Sequence, residues 1–290
     1  MKRDLQKITD LSAAEILGII SNAFEFKKGL HEDLQRKVVA MVFEKPSLRT
    51  KIAFEVAAQK LNCITSYVNN EPGRESAFDM AKNLERFSDL ILARVYSHET
   101  IRELSAASSK PVINALCDRH HPTQALADLM TIIWHKKSPK DLRVAFIGDG
   151  NNVATSLMQV CAMTGINFAI ASPEGYEISK EDIPKSSSKI ELLRDPNDAV
   201  KNADVIYTDT FISMGEENER ADKIRHFAHY QVNMPLLKKA KPDAIFMHCL
   251  PAHRGEEVTD EVMDSEQSKV FDQAECRMHI AKALLSKFLK

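Results

Sequence analysis

Short, uninterrupted apolar runs alternate along this chain with stretches whose apolar residues recur every three or four positions. The clearest run is Val38-Val39-Ala40-Met41-Val42-Phe43, followed by a turn holding Pro46 and a helical pattern through Ile52, Phe54, Val56, Ala57 and Leu61. Runs at 38–43, 65–68, 90–94, 111–114, 143–147, 167–171, 205–208 and 244–248 predict strands. Helices are predicted over 77–87, 100–107, 123–135, 153–164, 218–227 and 233–240, and Ser12-x-x-Glu15 resembles a capping box that starts one before Ile16. Continuous apolar strands separated by helices indicate a parallel sheet covered on both faces. The polar segment His135-Lys136-Lys137-Ser138-Pro139-Lys140 divides two blocks of the same pattern, so a domain boundary is expected there. Residues 181–189, with Ser186-Ser187-Ser188, read as a surface loop. Glu275 to Lys290 reads as a last helix that folds back on the first domain.

The length of 290 residues suits two domains of ordinary size. Lysine and arginine number 39 against 41 aspartates and glutamates, which argues against a nucleic-acid scaffold. No apolar stretch reaches the length of a membrane span, and no apolar segment follows the charges of the N-terminus, so a soluble cytoplasmic protein is expected. The five cysteines are widely spaced, without Cys-x-x-Cys, and make neither a disulfide framework nor a zinc ribbon.

The residues with chemical potential gather just after predicted strands, where open α/β sheets bind ligands. Ser47, Arg49 and Thr50 follow the first run; Ser47 is a favoured N-cap, and free amides at a helix start attract anions. An ordinary capped helix with an exposed arginine is the plainer alternative. Arg94 ends the 90–94 run, where it either meets a structural carboxylate or an anionic ligand. His121 and Gln124 lie one turn apart and offer a pair of donors to a carbonyl oxygen, or else a satisfied helix start. Gly148-Asp149-Gly150-Asn151-Asn152 looks like a dinucleotide fingerprint, but its sixth position is Val153 rather than glycine. Asp209 and Ser213-Met214-Gly215 follow the 205–208 run, and His248-Cys249-Leu250-Pro251 closes the 244–248 run. Cys249 reads as a buried structural cysteine or as a proton-handling thiol near Asp209. His248, Cys249 and His253 lack a familiar metal-ligand spacing.

Taken together and in order, these segments resemble the ornithine carbamoyltransferases of the aspartate/ornithine transcarbamylase family. Phe43 to Thr50 matches the family's Ser-x-Arg-Thr signature, and His121-Pro122-Thr123-Gln124 its His-Pro-x-Gln. Asp209-x-x-x-Ser213-Met214-Gly215 and His248-Cys249-Leu250-Pro251 match segments of the ornithine branch, and Glu275-Cys276-Arg277-Met278 a late Glu-x-Arg element. The resemblance implies an α/β fold of two doubly wound parallel-sheet domains with the active site in the cleft between them. It implies a carbamoyl-phosphate-binding domain over 1–136, an ornithine-binding domain over 137–270 and a C-terminal helix over 271–290. By position, Ser47, Leu48, Arg49, Thr50 and Arg94 would surround the phosphate, and His121, Gln124 and Arg277 would contact the carbamoyl oxygen. Cys249 and Leu250 would lie near the carbamoyl group and the incoming amine. Asn152, Asp209, Ser213 and Met214 would bind ornithine. The implied catalytic set is Cys249, Asp209, Arg94, His121 and Arg277.

The implied reaction makes citrulline and phosphate, with no metal or organic cofactor, in a homotrimer or an assembly of trimers. Two departures stand out. Leu48 replaces the threonine of many relatives, removing a hydroxyl but keeping the amide, and the 172–195 region is short and serine-rich. The rivals are a sister transcarbamylase acting on putrescine, aspartate or acetylated ornithine, a non-catalytic relative, and an NAD-dependent oxidoreductase, the last disfavoured by Val153.

Overall fold

Ser12 caps the first helix as its spacing predicts: its hydroxyl accepts from the Glu15 amide, and the Glu15 carboxylate accepts from the Ser12 amide at 3.0 Å. The computed structural model describes residues 2–71, 73–186, 188–212 and 220–290. They divide into two units, Met1–Met130 with Glu275–Lys290, and Thr131–Ala274.

Unit 1 runs α1 (Ala13–Lys27), β1 (Val38–Phe43), α2 (Leu48–Lys60), β2 (Ile64–Asn69), α3 (Ala77–Leu84), β3 (Leu90–Arg94), α4 (His98–Ala107), β4 (Val112–Leu116) and most of α5 (Pro122–Lys136). Its four strands are all parallel, in the order β2-β1-β3-β4. Val39 to Phe43 and Leu90 to Ala93 are buried on both faces, which is why these strands read as unbroken apolar runs. The N-terminal segment extends the β4 edge through a bridge between Leu5 and Ile113, with the Leu5 amide donating to the Val112 carbonyl at 2.9 Å.

Unit 2 runs β5 (Arg143–Ile147), α6 (Asn152–Thr164), β6 (Asn167–Ala171), β7 (Ile190–Leu193), α7 (Pro196–Val200), β8 (Val205–Thr208), α8 (Arg220–His226), α9 (Met234–Leu237), β9 (Ile245–His248) and α10 (Asp260–Met263). Its five parallel strands are ordered β7-β6-β5-β8-β9. The last helix, α11 (Val270–Phe288), begins here and ends in unit 1. There the Ser286 hydroxyl donates to Glu32 at 2.8 Å and Lys287 pairs with Glu15 at 3.3 Å. The chain thus passes between units inside α5 and α11, and the polar segment 135–140 lies within unit 2.

Strand β7 and the short helices α7 and α10 were not legible as apolar runs. Strand β7 is a half-buried edge strand of four residues, Ile-Glu-Leu-Leu, pinned by a two-pronged Arg143–Glu191 pair at 2.9 and 3.0 Å. Helix α7 has only five residues, with Asp195 as its cap and Pro196 in its first turn. Of the Ser186-Ser187-Ser188 stretch, Ser187 lies outside the described residues.

Candidate active site

Each sheet has one point where the connections leave neighbouring strands in opposite directions, and ligands of open α/β sheets bind beyond the strand ends there. That point is β1/β3 in unit 1 and β5/β8 in unit 2. Phe43 pairs with Arg94, and Ile147 with Thr208, at the two carboxyl ends. The predicted site residues cluster beyond them.

In unit 1, Ser47 caps α2 with extended backbone and its hydroxyl accepts from the Thr50 amide at 3.2 Å. Leu48 and Arg49 begin the helix, so their amides are among those with no partner inside it. Leu48 is 74% exposed, and its side chain contributes no core packing. Arg94 is buried at the end of β3, and Lys45 is buried beside it. Burial lowers the Lys45 pKa, and Arg94 lowers it further.

The most tightly built part of this half is Arg277, brought in by α11 and 5% exposed. A buried guanidinium is costly unless its donors are satisfied. Arg277 donates to Thr50 Oγ1 at 2.9 Å, to His121 Nε2 at 3.3 Å and to Gln124 Oε1. Gln124 is oriented in turn by donating to Asp128 Oδ1 at 2.8 Å. Because a guanidinium only donates, His121 Nε2 accepts here and the imidazole is neutral. Burial, then Arg277, Arg94, Arg49 and Lys45, hold the His121 pKa well below its ordinary value. His121 and Gln124 therefore serve here as acceptors that aim Arg277.

Unit 2 assembles different chemistry. Asn151 caps α6, its side-chain oxygen accepting from the Val153 and Ala154 amides at 3.0 Å each. Its side-chain NH₂ donates to Asp209 Oδ2 at 3.0 Å, and the Cys249 thiol donates to Asp209 Oδ1 at 3.0 Å. Asp209 is 7% exposed, so these donors replace water around a nearly buried carboxylate. Asn152 is the first residue of α6. Ser213, Met214 and Gly215 lie outside the described residues.

Behind Cys249 sits a buried relay that the sequence did not single out. His248 Nδ1 accepts from the Leu250 amide at 2.9 Å, and Nε2 faces Glu257 Oε1 at 3.1 Å. The same Glu257 oxygen accepts from the His253 amide at 2.6 Å, and the His248 amide donates to Gln273 at 2.9 Å. These contacts hold Leu250 at φ +59°, a left-handed conformation unusual for a leucine, immediately before a cis bond to Pro251.

The glycines at 148 and 150 have local reasons. Gly148 sits at φ +138°, and a Cβ on Gly150 would lie 2.3 Å from the Ile178 amide nitrogen. The donor atoms of Asp209, His248 and Cys249 lie within 4.8 Å of one another, as do those of His253, Glu256 and Glu257. Both His248 nitrogens are already engaged by Leu250 and Glu257, and Cys249 and Asp209 are joined by their own hydrogen bond. Sequence reading missed Lys45, Asp128, Glu257 and Gln273, and left the role of Asn151 open. Lys45 and Asn151 stand inside the quoted motifs; Asp128 and Glu257 lie just beyond them, paired with Gln124 and His248, and Gln273 meets His248 from 25 residues away.

Comparison with known proteins bears on both halves. Residues 3–133 match the model for the aspartate/ornithine carbamoyltransferase carbamoyl-P binding domain, and residues 140–288 that for the Asp/Orn binding domain. The chain belongs to the aspartate/ornithine carbamoyltransferase family. Among relatives, it is 45% identical to an ornithine carbamoyltransferase of Methanosarcina mazei, with both chains fully covered. It is 46% identical to an anabolic ornithine carbamoyltransferase of Pyrococcus furiosus, covering 98% of this chain and 95% of that one. The solved Pyrococcus furiosus ornithine carbamoyltransferase superposes with a TM-score of 0.93 over 98% of this chain and 96% of that one, and a Thermus thermophilus one with 0.93 at 40% identity and full coverage of both. Within this family, the spatial grouping of Thr50, His121, Gln124 and Arg277 is built from segments up to 227 residues apart in sequence.

Proposed function

We propose that this family member transfers the carbamoyl group of carbamoyl phosphate to the side-chain amine of L-ornithine, giving L-citrulline and phosphate. The observation that carries the reading is the pairing of chemistries. Unit 1 gathers Arg49, Arg94 and Arg277 around a helix N-terminus, and unit 2 presents a nearly buried carboxylate beside a thiol. Full-length relatives at about this distance are named ornithine carbamoyltransferases. The amides of Leu48 and Arg49, with Arg49 and Arg94, take the phosphate. Arg277, aimed by Thr50, His121 and Gln124, donates to the carbamoyl oxygen.

The ornithine side-chain ammonium has an ordinary pKa near ~10.4, so it must shed a proton before its nitrogen can attack the carbonyl carbon. Withdrawal from water beside fixed cations lowers that pKa. Asp209 attracts the substrate's ammonium charge, and Asn152, Ser213, Met214 and the Leu250 backbone complete the amino-acid site. Cys249, already donating to Asp209, lies on the path by which the amine proton leaves. Attack places negative charge on the carbonyl oxygen, where a well-placed donor contributes ~3 kcal/mol. The C–O bond to phosphate then breaks, and phosphate departs from the cationic pocket. These steps use only side chains, backbone and the two substrates.

An arginine-building role accords with the relative named anabolic. No helix among the described residues is long and apolar enough to cross a membrane. We place the protein in the cytoplasm, as a trimer or an assembly of trimers, a state that light scattering of the purified protein reads directly. The activity test offers ornithine, putrescine, aspartate and acetylated ornithine in turn, with carbamoyl phosphate, and measures carbamoylated product. Citrulline formation with ornithine is the expected result. Product with putrescine but not ornithine would overturn the acceptor, and no product with any amine would leave a binding protein.

A further inference from the structure

The opposite end of the unit 1 sheet carries a second concentration of positive charge, with no part in the chemistry above. A cavity of about 480 Å³ opens where β1, β3 and β4 begin. Lys37 stands just before β1, Asp89 before β3 and Lys110 before β4. Lys2 and Arg3 line it from the N-terminal segment, and Lys287 from the end of α11. Pro111, Phe288 and Leu289 form an apolar wall. Strand β1, six residues and about 20 Å long, separates this cavity from the Ser47 turn.

The local charges do not balance. Lys37 pairs with Asp89 at 3.3 Å and Lys2 with Asp4 at 3.2 Å. Glu15 is shared between Arg3 and Lys287, and Lys110 forms no ion pair among the described residues. Five cations therefore face three carboxylates around one concavity. A sixth, Lys290, is neutralised by Glu32 at 2.8 Å. The Lys2 ammonium donates to the Ser105 and Ser108 carbonyls and pairs with Asp4, so its three N–H groups are engaged and it adds positive charge to the cavity rather than a direct contact.

We propose that this cavity binds a small polyanion carrying several phosphate groups. The cationic side chains come from four separate segments around the cavity, and each exposed contact is weak alone, so a ligand with several anionic groups gains most from them. A linear polyphosphate spans them, and the apolar wall provides a surface for an attached organic group. The site is independent of the carbamoyl-transfer reading.

The test is a calorimetric titration of inorganic tripolyphosphate, and separately of ATP, into the purified full chain at low salt. Three variants accompany it: Lys110→Ala, Lys37→Ala/Lys110→Ala, and Arg49→Ala. The expected result is saturable binding that weakens as salt is raised. It should be about tenfold weaker in the double variant and unchanged in Arg49→Ala. Lys110 makes no side-chain ion pair among the described residues, so Lys110→Ala keeps the fold and isolates the charge effect. Tighter binding of ATP than of tripolyphosphate would assign the apolar wall to an organic group, and equal binding would assign the site to the phosphate chain alone. Absence of saturable binding overturns the proposal. So does binding that Arg49→Ala abolishes and the lysine variants leave intact, because the anion would then sit in the active-site pocket.

Discussion

Units 1 and 2 hold their candidate site residues by different means. In unit 1 the chemistry rests on fixed charge: Arg49, Arg94 and Arg277 stay protonated at any working pH, and buried neutral acceptors hold Arg277 in place. In unit 2 it rests on backbone shape. There the Cys249 thiol donates to Asp209, and a buried His248–Glu257 relay holds the Leu250 turn next to them. The donor substrate is an anion with a fixed charge pattern, which suits a rigid cationic cradle. The acceptor must change protonation during reaction, which suits a site whose groups can exchange protons.

This contrast predicts its sharpest break at Arg277. Arg277→Met should lower kcat/KM by ~10³-fold, since in the proposed mechanism it removes the donor to the developing oxyanion. Thr50→Val, which removes one of three acceptors, should cost only about tenfold. Steady-state kinetics with carbamoyl phosphate as the varied substrate separates the two, and equal losses would show that Thr50 does more than aim Arg277.

Next in size is the relay. His248→Ala strips the Leu250 amide and Glu257 of a buried partner, and should destabilise unit 2 by ~2–4 kcal/mol. Its kinetic signature should be a raised ornithine KM with carbamoyl phosphate affinity intact. Urea unfolding and the two KM values report on this, and a weakened carbamoyl phosphate site instead would break the division between halves. Gly150→Ala should destabilise by a similar ~1–3 kcal/mol, because its Cβ would collide with the Ile178 backbone.

The pH response sharpens the comparison further. His121 is held neutral in the fold by burial and by Arg277, Arg94, Arg49 and Lys45. The unfolded chain therefore binds a proton that the folded chain refuses. The stability this contributes is fully present above the ordinary histidine pKa of 6.5 and is lost as pH falls below it. His121→Gln should reduce the acid-side slope by up to about one proton, or ~1.4 kcal/mol per pH unit. Unfolding curves collected on both sides of the histidine range test this, and identical slopes would contradict the buried neutral imidazole.

The smallest effect belongs to Leu48, exposed at the first turn of α2. Leu48→Thr should tighten carbamoyl phosphate binding by no more than ~1 kcal/mol, read by calorimetry. A large gain would mean that the leucine obstructs the pocket rather than merely omitting a hydroxyl.

Much of this was legible in the chain because buried parallel strands leave unbroken apolar runs, and Val38–Phe43 and Leu90–Arg94 are such strands. Caps were equally legible, as Ser12 and Ser47 show, since a cap is a local contact. Strand β7 was missed because an edge strand is half solvated and needs no apolar run. The order of strands, and with it the two turning points that gather the site, depends on pairing between distant segments. The same holds for Gln273, whose partners His248 and Tyr207 lie 25 and 66 residues away. Asn151 and Asn152 stand side by side in the glycine loop, and only the geometry shows that Asn151 both caps α6 and holds Asp209.

The central claim is that the Ser47 turn and its arginines are a carbamoyl phosphate site. Its most direct test is calorimetric titration of carbamoyl phosphate into the wild-type chain and Arg49→Ala. Saturable binding is expected with the first and at least about a hundredfold weaker binding with the second. Equal affinity in the two would contradict it.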